Sequence, residues 1–315
     1  MTQMAATRDA YGTTLAELGE ENPDIVVLDA DLSGSTKTSL FAKKFPERFF
    51  NMGIAEANMV GTAAGLAAAG KIPFVSTFAI FAAGRAWEQI RQSVAYPRAN
   101  VKIVPTHGGV TVGEDGASHQ SVEDIAIMRA IPNMTVIVPA DAVETAAAVR
   151  AVAAFKGPVY LRLGRNKVST VFDGSLRFEI GKGTILAGGS DLTFVTTGLM
   201  TAQALIAAER LRPDGISARV LHLATIKPLD EELLLDAALE TGAIVTAEEH
   251  SIVGGLGGAV AEFLGEHQPV PLVRVGVRDR FGTSGKAEEL LKYFGLTHVE
   301  LEDAARRVLE RKGSR

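Results

Sequence analysis

One carboxylate, Glu56, stands in a segment that is otherwise uncharged and composed mostly of small or apolar residues. The segment spans 51–59 and continues into a run at 60–70 made almost entirely of Gly, Ala, Leu and Val, which predicts a tightly packed helix beginning near Glu56. A carboxylate moved out of water is expected to be hydrogen-bonded, paired with a cation or protonated, and each state suits proton transfer. The alternative is a solvated acidic residue in a first helical turn, where the helix dipole stabilises it.

A glycine-punctuated segment at 106–120 carries two histidines and two acidic residues. It directly follows a predicted strand, so it should lie at the carboxyl edge of a sheet, where open α/β sheets bind ligands. His107, Asp115 and His119 can relay protons there and form hydrogen bonds to substrate hydroxyls or to phosphate. Solvated loop residues are the competing interpretation.

Two phenylalanines, Phe78 and Phe81, follow the predicted strand at 72–76. Their three-residue spacing places them on one face if a helix has already begun. Core packing is one interpretation. The other is that a planar heterocycle stacks on them at the end of the strand.

Short β-rich runs alternate with longer helical runs, which predicts an α/β fold of two domains, each with a mainly parallel sheet flanked by helices. The length of 315 residues also favours two domains. A polar stretch between the two alternations predicts a first domain at 1–165, a linker at 166–184 and a second domain at 185–315. The predicted strands are 25–28, 72–76, 101–105, 135–138, 159–163, 192–196, 218–221, 243–246 and 272–275. The predicted helices of the second half are 202–210, 231–239, 258–266 and 301–312.

The composition excludes several classes of function. The net charge is −5 and no basic stripe is present, so nucleic acid is not an expected partner. The N-terminus lacks a signal-peptide pattern and no apolar run is long enough to span a bilayer, which predicts a cytoplasmic protein with no membrane partner. The absence of cysteine excludes disulfides and thiolate chemistry.

Nucleotide and metal motifs are missing as well. The glycine-rich segment at 254–260 has valine at the third glycine position of the dinucleotide fingerprint, so it predicts only a tight strand-to-helix turn. No Walker A sequence or G-x-S-x-G elbow occurs. The six histidines have no H-E-x-x-H spacing, and we predict no metal site within this chain.

Taken together, the motifs resemble the C-terminal half of a thiamine-diphosphate-dependent transketolase, and the resemblance covers nearly the whole chain. It depends on the order and spacing of Asp-Ala-Asp-Leu-Ser-Gly-Ser at 29–35, Gly-Ile-Ala-Glu at 53–56, Thr-Phe at 77–78 with Phe81, and Gly-Glu-Asp-Gly-Ala-Ser-His-Gln at 113–120. The resemblance implies a pyrimidine-binding domain followed by the family's C-terminal domain.

The resemblance also implies roles. Glu56 would exchange a proton with N1′ of the cofactor's aminopyrimidine, while the cofactor supplies the electron sink. The implied catalytic residues are Glu56, His107 and His119. The implied cofactor-binding residues are Glu56, Phe78, Phe81, Asp31 and Ile54. The implied substrate-binding residues are Arg8, Ser35, His107, Asp115, His119 and Arg165, of which Arg8, Ser35, His119 and Arg165 would hold a phosphate.

The chain departs from the common family pattern at two glycines. Gly84 stands where many members have a tyrosine beside the cofactor, and Gly109 stands where others have a polar residue. The Gly-Asp-Gly motif that holds the diphosphate and Mg²⁺ is also missing. The resemblance therefore implies an N-terminal partner subunit with that motif, in an α2β2 assembly that contains a homodimer of this chain.

Three functions remain open at this point. The first is transfer of a two-carbon ketol unit between sugar phosphates, which His107 before the Glu-Asp-Gly run favours. The second is the β subunit of a 2-oxoacid dehydrogenase's decarboxylating component, or a relative of deoxyxylulose phosphate synthase. The third is a non-catalytic subunit, against which the intact Glu56, Phe78, His107 and His119 argue.

Overall fold

The computed structural model describes residues 4–313, which form two large sheets, each flanked by helices, and one small sheet. The strands are β1 Met4–Ala6, β2 Ile25–Asp29, β3 Phe49–Asn51, β4 Ile72–Ser76, β5 Lys102–Ile103, β6 Thr135–Ile137, β7 Val159–Leu161, β8 Lys167–Ser169, β9 Thr184–Ala187, β10 Leu192–Thr196, β11 Ala218–His222, β12 Thr225–Lys227, β13 Ile244–Ser251 and β14 Leu272–Val277. The α-helices are α1 Thr7–Glu21, α2 Ser33–Thr36, α3 Ser39–Lys44, α4 Glu56–Ala68, α5 Ala79–Arg85, α6 Trp87–Gln89, α7 Asp124–Arg129, α8 Ala142–Ala154, α9 Met200–Leu211, α10 Glu231–Thr241, α11 Leu256–His267, α12 Ala287–Tyr293 and α13 His298–Gly313.

The first sheet has seven strands in the order β12-β6-β7-β5-β4-β2-β3, all parallel except β12. Each strand predicted for the first half is present. Strand β5 is shorter than predicted, but the chain beyond it stays paired with the neighbouring segment, because the amide of Val104 donates to Val75 and that of Thr106 to Thr77. The pairing therefore leads β5 directly into the histidine-containing loop.

The second sheet has five strands in the order β14-β13-β10-β11-β9, and only β9 is antiparallel. The four predicted strands and the four predicted helices of this half are confirmed. Strand β13 runs five residues beyond its predicted end at Thr246 and contains Glu248 and Glu249, both buried. Because these charged residues interrupt the apolar run, the sequence pattern placed the end of the strand too early.

Short strands connect the two halves more closely than the sequence suggested. Strand β8 lies inside the predicted linker and pairs antiparallel with β1. Strand β12 belongs to the second half of the chain but forms the edge of the first sheet, beside β6. One buried apolar cluster includes Val136 and Val138 of the first half together with Leu221, Leu234 and Val260 of the second. The two halves therefore pack against each other through a common core.

The glycine-rich segment forms the predicted turn between β13 and α11. Glu248 lies before this turn, in β13, and its carboxylate accepts hydrogen bonds from the amides of Leu256 and Gly257, at 2.7 and 2.8 Å. Burial raises the pKa of Glu248 to about 7. This carboxylate occupies the helix N-terminus, where a bound phosphate would lie in a dinucleotide loop. Within 4–313, no helix is long and apolar enough to cross a membrane.

Candidate cofactor and substrate site

The candidate site lies at the carboxyl edge of the first sheet, where β2, β4 and β5 end. Parallel strands bring their carboxyl ends to one edge, so loops that are distant in sequence meet there. A bridge between Phe78 and Thr106 places the segment after β4 directly beside the segment after β5. The site residues therefore come from separate βα units.

Glu56 is the first residue of α4 and is only 4% exposed. Its Oε1 accepts a hydrogen bond of 2.8 Å from Nη1 of Arg85, which is half exposed. The Arg85 guanidinium also lies over the Phe81 ring, 4.0 Å from its centroid. Burial excludes the solvated cap, and the expectation of a paired carboxylate is met. Arg85 was missed by sequence reasoning, although it lies four residues after Phe81 on one helix face.

Four aromatic rings lie together at the site, and Arg85 connects one of them, Phe81, to Glu56. Phe78 and Phe81 are stacked, with centroids 5.8 Å apart and planes inclined by 12°. The ring of His107 lies on Phe78 at 3.7 Å, and His119 meets Phe81 edge-on at 5.4 Å. The two histidines of the loop are therefore next to the phenylalanine pair, as a binding site for a flat ring requires.

His107 has a restrained conformation and a defined tautomer. Its φ is +61°, in the left-handed region that non-glycine residues rarely occupy. Its Nε2 lies 3.3 Å from Nη1 of Arg8 and its Nδ1 lies 2.7 Å from Oγ1 of Thr106. Arginine can only donate, so Nε2 accepts and Nδ1–H donates, which is the neutral imidazole. Burial, reinforced by the charges of Arg8, Arg165 and His119, lowers the pKa of His107 to about 3.

Two arginines border the same loop. Arg8 donates to the backbone carbonyl of Ser35 at 3.0 Å, and its Nε is buried with no partner among the residues described. Arg165 donates to the carbonyl of Val112 and to Oδ2 of Asp115 at 3.3 Å. Burial, with the nearby charge of Arg165, lowers the pKa of Arg8, while Asp9 opposes this. Two neighbouring guanidinium groups suit a phosphate monoester.

Two of the residues expected to bind the cofactor, Asp31 and Ile54, are exposed to solvent in this chain. Asp31 has a φ of +64° and accepts a hydrogen bond of 2.9 Å from Asn51. Ile54 is 75% exposed, so this chain alone does not enclose it. Their contact with a cofactor therefore remains a prediction.

Buried polar groups near the site include Asp29 and Thr77, which belong to the motifs that carry the resemblance but were given no role from the sequence. Asp29, at the end of β2, accepts hydrogen bonds from the amide of Leu32 and the hydroxyls of Thr36 and Thr38, and so shapes the turn that contains Ser35. The hydroxyl of Thr77 is buried without a partner in the part of the chain that the structure describes. A Cβ added at Gly84 would meet no atom of residues 4–313 within 4 Å. In the same residues, 4–313, no group of three His, Cys, Asp or Glu could hold a metal ion.

Comparisons with known proteins agree over nearly the whole chain. The family model of the transketolase pyrimidine binding domain matches residues 3–170, and that of the transketolase C-terminal domain matches residues 181–301. A relative from Methanocaldococcus jannaschii, provisionally named as a transketolase C-terminal section, is 56% identical over 96% of this chain and 95% of its own length. The 6-deoxy-6-sulfo-D-fructose transketolase subunit of Clostridium sp. strain MSTE9 is 48% identical over 98% of this chain and 96% of its own length.

A solved structure gives the same result. It is described as a split gene transketolase, inactive beta4 tetramer, and it is 59% identical, with a TM-score of 0.92 over 98% of this chain and 99% of that chain. The chain therefore belongs to the transketolase family, with a pyrimidine-binding domain followed by the family's C-terminal domain.

Proposed function

We propose that this chain is the C-terminal subunit of a two-chain transketolase that uses thiamine diphosphate to move a two-carbon ketol unit between sugar phosphates. The observation that carries the proposal is the buried Glu56, whose carboxylate is linked through Arg85 to the stacked pair Phe78 and Phe81. We further propose that the assembly is cytoplasmic.

The residues present fit the aminopyrimidine of the cofactor. The guanidinium of Arg85 is flat and nitrogen-bearing, and it both stacks on Phe81 and donates to Glu56. A pyrimidine ring needs the same two contacts, one aromatic face and one carboxyl beside a ring nitrogen. Thiamine diphosphate, when bound, supplies the electron sink for the two-carbon unit. Glu56 would hold the proton at N1′, with Arg85 displaced from its carboxylate.

The other side chains would bind and orient the sugar. Neutral His107 would accept a hydrogen bond from a sugar hydroxyl at Nε2, the nitrogen that accepts from Arg8 in this structure. His119, at the edge of Phe81, and Asp115, beside Arg165, can do the same. Arg8, whose Nε has no partner among residues 4–313, and Arg165 would hold the phosphate.

The partner would supply the other half of the site. The missing Gly-Asp-Gly motif supports a separate N-terminal subunit that holds the diphosphate and Mg²⁺. Names of relatives as a C-terminal section and as a transketolase subunit support the same division. We propose an α2β2 assembly in which two copies of this chain meet two copies of the partner.

The test is to purify the chain together with the chain of the same genome that carries the Gly-Asp-Gly motif. The complex should convert xylulose 5-phosphate and ribose 5-phosphate only when thiamine diphosphate and Mg²⁺ are added. Pyruvate and branched 2-oxoacids serve as control substrates. Release of CO₂ from these oxoacids without ketol transfer would instead support the 2-oxoacid dehydrogenase β subunit, and no turnover of either would support a non-catalytic subunit.

A further inference from the structure

The loop that contains His107 is bound by a side chain of the second domain. Glu249 lies in β13, is 6% exposed, and its Oε1 accepts a hydrogen bond of 2.7 Å from the amide of Thr111. The two residues are 138 positions apart in sequence. A buried carboxylate therefore reaches from the C-terminal domain to the backbone of the candidate site.

Glycine at position 109 makes this approach possible. Gly109 has a φ of +86°, and a Cβ at this position would lie 2.2 Å from Cδ of Glu249. The carboxyl group thus lies directly against the backbone, where any side chain would displace it. The departure from the family pattern at Gly109 accordingly coincides with the closest contact between the loop and Glu249.

A buried arginine holds the other side of the same turn. A Cβ at Gly108 would lie 2.6 Å from Nε of Arg162, and Nη2 of Arg162 donates to the carbonyls of Ser121 and Glu249 at 3.2 and 3.1 Å. Its Nε donates to Asp124 at 2.8 Å. The two loop glycines are therefore enclosed between a guanidinium of the first domain and a carboxylate of the second.

We propose that Glu249 is a positioning residue that holds the 109–111 backbone so that the His107 ring remains on Phe78 in the site. A non-glycine residue keeps a left-handed conformation only where its surroundings enforce it, and His107 has such a conformation two residues before Gly109. The effect on catalysis rests on the proposed transketolase function. The effect on the position of His107 does not.

The chain contains a matched control in the neighbouring residue. Glu248 is equally buried and lies in the same strand, but successive side chains of a strand point to opposite faces. Its carboxylate binds the amides of Leu256 and Gly257 rather than the loop. A change at Glu248 therefore perturbs the same strand without releasing Thr111.

The end of the loop near His119 is held by the side chain of Gln120, which provides an internal comparison for the test. Nε2 of Gln120 donates to the carbonyl of Thr283 at 2.9 Å and also to the carbonyls of Val110 and Gly113, and the contact with Thr283 does not involve Glu249. Loss of the Glu249 contact should therefore move His107 more than His119, which is next to Gln120 in the chain.

The experiment compares Glu249→Asp, Glu249→Gln and Glu248→Gln by two readouts. Aspartate is one methylene too short to reach Thr111, whereas glutamine keeps both the length and the acceptor oxygen. In the full-length chain labelled with ¹⁵N-histidine, Glu249→Asp should shift the imidazole resonances of His107, identified by their loss in His107→Gln. Glu249→Gln and Glu248→Gln should leave them in place.

In the assembled enzyme, Glu249→Asp should raise the KM for ribose 5-phosphate roughly tenfold, because about one hydrogen bond is lost. The Kd for thiamine diphosphate should stay within about twofold of the value for the parent enzyme. Rescue of the KM by Glu249→Gln would support positioning. An unmoved His107 resonance in Glu249→Asp, or equal effects of Glu248→Gln and Glu249→Asp, would overturn the proposal. An inactive parent complex would contradict the proposed function, and the His107 resonance would still decide the role of Glu249.

Discussion

The neutral state of His107 predicts a specific dependence of stability on pH. Burial, together with the positive charges of Arg8, Arg165 and His119, lowers its pKa from 6.5 to about 3 in the folded protein. Between these two values the unfolded chain binds a proton that the folded chain does not. Stability must therefore rise with pH across this window, and it is lost as the pH falls from about 6.5 towards 3.

The magnitude follows from the same two values. At pH 5 the solution is about 1.5 pH units below the pKa of histidine in the unfolded chain, and each unit corresponds to roughly 1.4 kcal/mol. His107 is almost uncharged in the folded state at this pH, so nearly the whole free energy of protonating the unfolded chain is subtracted from the stability of the fold. Lowering the pH from 7 to 5 should therefore remove about 2 kcal/mol of stability through this one side chain.

The assay is urea unfolding of the parent and of His107→Gln at pH 7 and pH 5, at 25 °C. Glutamine keeps an acceptor for Arg8 but cannot be protonated, so the difference between the two proteins isolates His107 from the other titrating groups. The parent should lose about 2 kcal/mol more than the variant. An equal loss in both proteins, or titration of the His107 Cε1–H resonance near pH 6.5, would refute the buried neutral imidazole.

Three further predictions concern the site and its support. Glu56→Gln should lower kcat of the assembled enzyme about 10²- to 10⁴-fold with assembly unchanged by gel filtration, and ordinary turnover would remove its proton role. Arg165→Ala should raise the KM for ribose 5-phosphate far more than for unphosphorylated ribose, and equal increases would contradict a phosphate contact. Arg162→Met should lower the free energy of unfolding by about 3 to 5 kcal/mol, because it leaves buried Asp124 without its cation. The control is Arg150→Met on the surface, which should lower it by about 1 kcal/mol or less.

Local patterns were sufficient for the long, regular elements. The strands Ile72–Ser76 and Leu192–Thr196 have the predicted bounds, and α4 begins at Glu56 as the run of small residues indicated. Such elements follow from the periodicity of neighbouring residues. The strand Phe49–Asn51 and the strand Thr225–Lys227 were missed, because three-residue edge strands show almost no periodicity and depend on a partner strand.

The site residues also divide into those that local sequence patterns identified and those that they did not. Sequence reasoning selected Glu56 because it is the one carboxylate in an uncharged segment, and Phe78 and His107 because they follow predicted strands. It did not find Arg85 as the partner of Glu56, although the helical spacing from Phe81 was available. It could not find Glu249, because a contact across 138 residues has no local signal.

The sequence by itself determined the α/β alternation, the apolar surroundings of Glu56 and the glycines that allow the loop its conformation. Only the tertiary structure decided which polar groups meet: Arg85 with Glu56, Arg8 with His107, and Glu249 with the amide of Thr111. Secondary structure follows from residues a few positions apart, whereas buried polar contacts depend on how distant segments pack, within one domain for Glu56 and His107 and between the two domains for Glu249. The pKa of His107 is lowered for the same reason, since burial and its charged neighbours exist only in the folded chain.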